Sequence, residues 1–281
     1  MNLFPHVATP TARRLVTLTT DFGLRDEYVG VMKGVLLGHA PMATVIDLCH
    51  EIAPQDIRQA ALLLEAAVPY FPAQTLHVAV VDPGVGGRRT IVLVKARDQL
   101  FLAPDNGILS AVLSNQSIDF AHEITTDSFF LPRVGRTFHG RDIFAPVAAA
   151  VLNGVDPVRL GPPFPPGSLQ QIHWPSAVLD SSTGTVHTTA THIDRFGNIM
   201  TNLREPELRA LLGPKFSPHF QVAGQNAVFA NTYSDVPVDT LILLGNSRGY
   251  LEIALNQGNA ARLLHVTIGM PIPLTAWPGP Q

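Results

Sequence analysis

The sequence predicts an α/β N-terminal domain with a largely parallel sheet, followed by a smaller, mostly-β C-terminal domain of barrel or sandwich type. Three observations carry this. Through about residue 150, short β-branched runs alternate with stretches of helical spacing. A proline-dense stretch, Gly161 to Pro175, then interrupts the pattern. Beyond it, short β-branched segments recur with one helical stretch among them.

Leu15 to Thr19 reads as the first strand and gives out in Thr20-Asp21-Phe22-Gly23. Asp26 to Ala40 has helical spacing, with Val29, Met32 and Leu36 along one face. Asp26 is the expected N-cap, and Glu27 suits the positive end of the helix dipole. Thr44 to Leu48 is the second strand. Asp56 to Val68 is the second helix, nearly all apolar from Ala60 to Leu64 and so expected to be buried on more than one side. Leu76 to Val81, Thr90 to Val94 and Leu100 to Ala103 are three further strands, and Ile108 to Leu113 reads as the start of a helix. The alanine-rich run Ile143 to Leu152 is a helix closed by Asn153-Gly154.

The boundaries that follow are a leader over 1–14, the α/β domain over 15–160, a proline-rich linker over 161–175 and the β domain over 176–281. In the last, strands are expected around Val178, Val186, 188–193, 220–222, 241–244 and 263–268, with Glu205 to Leu212 the helix.

Composition excludes several classes of function. With 46% hydrophobic and 15% charged residues, the 281-residue chain can bury a large core. A net charge of −3 leaves no basic footprint for nucleic acid. No apolar run approaches the ~20 residues of a membrane span, and the N-terminus lacks the apolar core of a signal peptide. Cys49 is the sole cysteine, so no intrachain disulfide forms, and it reads as a small buried hydrophobe. A cytoplasmic protein is the expectation.

The chemistry gathers where apolar runs end. In Val80-Val81-Asp82-Pro83-Gly84-Val85-Gly86-Gly87-Arg88-Arg89, a strand stops at an acid, and glycines permit a tight turn and close approach to a ligand. Strand-end acids of open α/β sheets sit where ligands bind; an ordinary β-turn capped by the Asp is the alternative. Four more clusters have the same character: 19–23, 137–142, 194–198 and 245–250. No Gly-x-Gly-x-x-Gly follows the first strand and there is no P-loop, which counts against the usual dinucleotide and nucleoside triphosphate sites. The 11 histidines show no His-x-x-x-His spacing, leaving little support for zinc.

Six segments occur in order: Thr-Thr-Asp-Phe-Gly, Val-Asp-Pro-Gly-Val-Gly, Ala-Pro-Asp-Asn-Gly, Phe-His-Gly-Arg-Asp-Ile-Phe-Ala-Pro-Val-Ala, Asp-Arg-Phe-Gly-Asn and Asn-Ser-Arg-Gly-Tyr-Leu-Glu-Ile-Ala. Spanning about Val16 to Ile268, this set resembles the S-adenosyl-L-methionine hydroxide adenosyltransferase family, the S-adenosylmethionine hydrolases related to fluorinase and chlorinase. The resemblance implies hydrolysis of S-adenosylmethionine to adenosine and methionine, with no cofactor and no metal. It also implies a homotrimer whose substrate lies between the N-domain of one subunit and the C-domain of its neighbour.

The catalytic trio implied by the resemblance falls on Asp82, Arg89 and His139. Asp21 matches the strand-one acid expected on the ribose hydroxyls, and Asp82 is a second candidate for that contact. Asp194, Asn198, Ser247, Arg248, Glu252 and the backbone around Leu255 match the C-domain's substrate contacts. Asp194 is expected at the methionine ammonium and Arg248 either at its carboxylate or in a structural ion pair. Halogenases of the superfamily carry an inserted loop, whereas 89–101 here leaves room only for strand, turn and strand with Arg97-Asp98 at the tip. The remaining alternatives are a non-catalytic adenosine or S-adenosylmethionine binder and a chloride-using halogenase.

Overall fold

The computed structural model describes residues 14–277, so all of the expected leader except Arg14 lies outside the described residues. Two compact units divide between Ile172 and His173.

The first unit is built on a six-stranded sheet. Its strands are β1 (Leu15–Thr20), β2 (Thr44–Cys49), β3 (Leu76–Val80), β4 (Ile91–Ala96), β5 (Gln99–Pro104) and β6 (Ile118–Glu123), in the spatial order β2-β1-β3-β5-β4-β6. The pairings β2–β1, β1–β3 and β3–β5 are parallel, and β4 runs antiparallel to both β5 and β6. Three helices accompany it: α1 (Tyr28–His39), α2 (Ile57–Ala67) and α3 (Ala145–Leu152).

Alternation along the strands feeds two cores. Val78, Ile91, Leu93 and Leu102 join Met32 and Leu36 of α1 and Val147 of α3 on one side. Ala79, Val92, Val94, Phe101 and Ala103 join Ala60 and Leu64 of α2 on the other. Covering both faces is what a mostly parallel sheet requires, and it explains why these strands read as continuous apolar runs. β4 and β5 meet in a two-residue hairpin, Ala96 opposite Gln99, with Arg97 and Asp98 at φ 56° and 57°.

Several expectations need correction. Helix α1 starts at Tyr28 with Glu27 as its N-cap residue, and Asp26 lies outside it. In α2 the cap is side-chain mediated: Asp56 accepts from Gln59 N. The stretch 108–113 is a series of turns, because Asn106 and Gly107 direct their groups locally: Asn106 Oδ1 accepts from Ile108 N and Gly107 O from Ser110 N. β6 is half-buried and edge-placed, so its residues carry no clear alternation to announce it. Most of the proline-rich run 161–175 belongs to the first unit. Pro162 O accepts from Glu123 N, Phe164 N donates to Ala121 O, and Gln170 N donates to Asp105. Prolines suit this edge position because only part of the backbone has to pair.

The second unit is a closed barrel. It comprises β8 (Thr185–Ile193), β9 (Ile199–Arg204), β10 (His219–Val222), β11 (Gln225–Phe229), β12 (Leu241–Gly245), β13 (Tyr250–Leu255) and β14 (Pro271–Trp277), with β7 (Val178–Asp180) added on β8. Pairing of β14 with β8 closes the ring, leaving only the short β7 with a free edge. Helix α4 (Glu205–Leu212) lies where its sequence put it. The expected strand at 263–268 is not one. Asn259 caps the short helix α5 (Ala260–Leu264) by accepting from Arg262 N, and His265 follows in the left-handed region.

One buried group makes the fold sensitive to acid. His77 sits on β3 between the rings of Phe71 and Phe101, with Nδ1 bonded to Thr17 Oγ1 at 2.8 Å. Burial pushes its pKa down to about 4, against a smaller opposing effect of Gln99. The unfolded chain therefore protonates first as pH falls below about 6.5, and stability present above that value is lost progressively toward pH 4. The expected loss from this residue is about 2 kcal/mol by pH 5. Urea unfolding at pH 7 and pH 5 checks it, with His77→Asn flattening the difference.

Candidate active site

Register decides where the first-unit acids meet. Thr20 of β1 lies opposite Val80 of β3, so Asp21 and the Val81-Asp82 pair leave neighbouring strands at the same sheet edge. β2 lies on one side of β1 and β3 on the other, which makes this edge a topological switch point, the usual location of ligand crevices in such sheets. A cleft of about 270 Å³ opens there, at the small end for a small-molecule site. Asp21, Phe22, Gln55, Asp82, Phe138 and His139 line it, among others.

The turn after Asp82 carries Arg89 back onto it. Arg89 Nε and Nη2 both donate to Asp82 Oδ2, at 2.9 and 2.7 Å. Arg89 Nη2 also reaches His139 Nδ1 at 2.7 Å. Arginine has only donors, so Nδ1 of His139 is the acceptor and the ring is neutral at that nitrogen. His139's pKa lies below its ordinary value: burial is the main cause and the Arg89 charge the next, against Asp82, Asp142 and a backbone hydrogen bond with Gly135. The three residues implied by the resemblance therefore form one connected array in this unit.

Asp82 holds the most informative atom. Its side chain is 4% exposed, and Oδ1 is buried without a hydrogen-bond partner among the described residues. A buried carboxylate oxygen left bare costs free energy unless a ligand or water supplies a donor. Asn106 secures the approach to it, donating from Nδ2 to Val81 O at 2.9 Å, which gives the Ala-Pro-Asp-Asn-Gly segment a structural purpose.

Asp21 is partly exposed, and its Oδ2 accepts from Gln55 N at 2.8 Å. Behind it, Thr20 Oγ1 bonds His50 Nδ1 at 2.9 Å, and His50 Nε2 lies 3.0 Å from Asp47 Oδ1. This chain was not foreseen, because its members are 30 residues apart at the Thr20–His50 link. Three aromatic rings, Phe22, Tyr28 and Phe138, pack mutually beside the cleft at centroid separations of 5.1 to 6.1 Å.

The remaining expected residues belong to the barrel unit. Asp194 organises the turn between β8 and β9: Oδ1 accepts from Phe196 N and Asn198 N, and Oδ2 from Asn198 Nδ2 at 3.1 Å. Glu252 on β13 is buried, and its Oε1 accepts from the Tyr233 hydroxyl at 2.6 Å. Burial raises the Glu252 pKa, and the Asp194 charge adds to that, while Tyr233, Asn246 and Arg248 oppose it. Asp194, Tyr233, Arg248 and Glu252 thus share one electrostatic neighbourhood, and Tyr233 had no signal in the sequence. Ser247 and Arg248 lie in the turn between β12 and β13, where Asn246 Oδ1 accepts from Arg248 N and Tyr250 N. Leu255 ends β13, with its carbonyl accepting from Gly258 N at 2.9 Å. Among the described residues, no cluster of three His, Cys, Asp or Glu side chains is arranged to hold a metal, and no helix is long and apolar enough to cross a membrane.

Comparison with known proteins decides the family. The SAM hydroxide adenosyltransferase N-terminal domain matches residues 16–161 and the corresponding C-terminal domain matches 188–273. The chain belongs to the SAM hydroxide adenosyltransferase family. It is 38% identical over 262 residues to the (R)-S-adenosyl-L-methionine hydrolase of Salinispora arenicola, covering 93% of this chain and 97% of that one. The (R)-S-adenosyl-L-methionine hydrolase of Thermus thermophilus is likewise 38% identical, over 93% of this chain and 99% of its own. The fluorinase of Actinopolyspora mzabensis is more distant, at 24% over 94% of this chain and 98% of its own. Among solved structures, a conserved protein from Thermotoga maritima superposes with a TM-score of 0.84 at 34% identity, over 92% of this chain and 99% of that one.

Gly86 is what lets the Asp82–Arg89 turn approach the loop carrying His139. Its φ is +75°, and a Cβ there would stand 2.2 Å from the Arg136 carbonyl oxygen. Gly86→Ala is expected to destabilise the first unit by about 1–3 kcal/mol. Thermal melts check this against Gly167→Ala, where a Cβ meets nothing within 4 Å.

Proposed function

We propose that this chain hydrolyses S-adenosyl-L-methionine to adenosine and L-methionine by attack of water on ribose C5′. Family membership supports the substrate and the reaction. The observation that carries the chemistry is the bare, buried Oδ1 of Asp82 beside an Oδ2 already saturated by Arg89.

The reaction asks little of an acid catalyst. As the water oxygen bonds to C5′, the C5′–S bond breaks and its electron pair returns to sulfur, leaving a neutral thioether. The attacking water becomes strongly acidic as it bonds to carbon, so a weakly basic carboxylate suffices to take its proton. Catalysis then reduces to holding water in line and giving that proton a place to go. Asp82 Oδ1 accepts it. Arg89 fixes the carboxylate and offers positive charge to the developing hydroxide character.

His139 has a different task from that of a base. Its Nδ1 lone pair is engaged by Arg89, and its lowered pKa favours the neutral ring, so it braces the guanidinium at the same Nη2 that also holds Asp82. Asp21 accepts from the ribose hydroxyls, two acceptor oxygens suiting a vicinal diol. Asp194, Asn198, Ser247, Arg248, Glu252 and the backbone near Leu255 serve the adenine and methionine ends. The reading needs no cofactor, S-adenosylmethionine being the substrate.

Incubation of purified protein with S-adenosylmethionine, with and without chloride, should give adenosine and methionine in equal amounts. 5′-Chloro-5′-deoxyadenosine would make it a halogenase, and tightly bound, unchanged substrate would make it a binder. Asp82→Asn is expected to lower kcat by on the order of 10²–10⁴-fold, the usual scale for a positioned proton acceptor. We also propose a homotrimer, and a single-chain mass in light scattering would refute it.

A further inference from the structure

The loop from Leu131 to Gly140 delivers Phe138 and His139 to the cleft, and a single buried carboxylate ties that loop together. Asp142 is fully buried. Its Oδ2 accepts from Gly135 N at 2.7 Å and Arg141 Nη2 at 3.1 Å, and its Oδ1 from Arg141 Nε at 2.6 Å. Its backbone adds two more ties, N donating to Phe138 O at 3.2 Å and O accepting from Leu131 N at 2.9 Å. The chain passes here through a π-helical turn, Gly140–Phe144, in which Ala145 N donates to Gly140 O. Such turns add a residue to a helix and re-aim the side chains around it.

The clamp touches the site by three routes. Gly135, held by Asp142, is also the backbone partner of His139. Arg141, held by both Asp142 oxygens, lies over the Phe138 ring at 5.2 Å from its centroid, and that ring lines the cleft. The Arg136 carbonyl between them is the surface on which Gly86 of the Asp82–Arg89 turn rests.

We propose that Asp142 is a positioning residue for the reaction: it sets the place and protonation of His139, and through it the orientation of Arg89, without touching substrate. Its kinetic consequence rests on the hydrolase reading; its effect on His139 does not. Burial alone would raise the Asp142 pKa, but Arg141 and Gly135 N–H hold it below the ordinary carboxylate range, so the charge is present. The charged groups acting on His139 are Arg89, Asp82 and Asp142 itself, whose charge Arg141 partly offsets. Asp142 therefore favours the charged imidazole, and Arg141 acts by keeping Asp142 ionised.

That dependence provides the test. The His139 ring is followed by NMR titration in protein with ¹³C-labelled histidine, the resonance assigned through His139→Gln, alongside kcat and KM. Asp142→Asn should move the His139 titration to lower pH. Arg141→Leu, at a side chain 39% exposed, leaves the buried Asp142 without its cation and should move the titration the same way. In Asp142→Asn kcat should fall by on the order of 10²-fold, the scale of a small misplacement of a catalytic group, with KM changed far less. Unshifted titrations, or an upward shift in either variant, would overturn the proposal. Should Asp142→Asn fail to fold by circular dichroism, Arg141→Leu decides alone: a downward shift supports the clamp, and no shift or an upward one refutes it. A wild-type protein that releases no adenosine refutes the hydrolase reading, while the titrations still decide this one.

Discussion

The buried pairing of Asp82 with Arg89 is the constraint on which the site depends. At 4% and 13% side-chain exposure, neither group can rely on water for solvation, and a buried charge without its partner costs several kcal/mol. The turn between them must therefore close tightly, which is why glycines fill it and why one of them rests directly on the neighbouring loop. That loop must in turn be held still, and a second buried carboxylate, Asp142, does so. Two carboxylate–arginine pairs thus flank His139, Arg89 bonding it directly and Asp142 reaching it through the Gly135 backbone.

The two pairs differ in what they leave free. Both Asp142 oxygens are bonded, so its role ends with the protein. Asp82 keeps one oxygen bare. Among the described residues it is the one carboxylate oxygen left buried without a partner, and it belongs to a residue that lines the cleft. That asymmetry distinguishes the Asp82 pair from the Asp142 pair.

The barrel unit follows another logic. Its candidate residues sit in Asx-type turns, where Asp194 and Asn246 spend side-chain oxygens on their own backbones. Such turns hold shape without help from neighbouring strands. Glu252 is the exception, a buried acid kept in place by the Tyr233 hydroxyl.

The sequence by itself determined what local physics controls. β-branched runs and their breakers located β1 to β5, the spacing of Val29, Met32 and Leu36 located α1, and six ordered segments identified the family and pointed to Asp82, Arg89 and His139 as candidates. The two-residue turn at Arg97-Asp98 was legible for the same reason. Only the tertiary structure decided what depends on partners far apart in the chain. No local pattern says that β3 lies beside β1, yet the Thr20–Val80 register is what brings Asp21 to Asp82. The edge strand β6 and the docking of the proline-rich run on it are settled by pairing, not by propensity. The same holds for the neutral acceptor nitrogen of His139, the bare oxygen of Asp82 and the clamp at Asp142. Each is a fact about hydrogen bonds between segments, and a carboxylate's role is set by which of its oxygens the fold has already used.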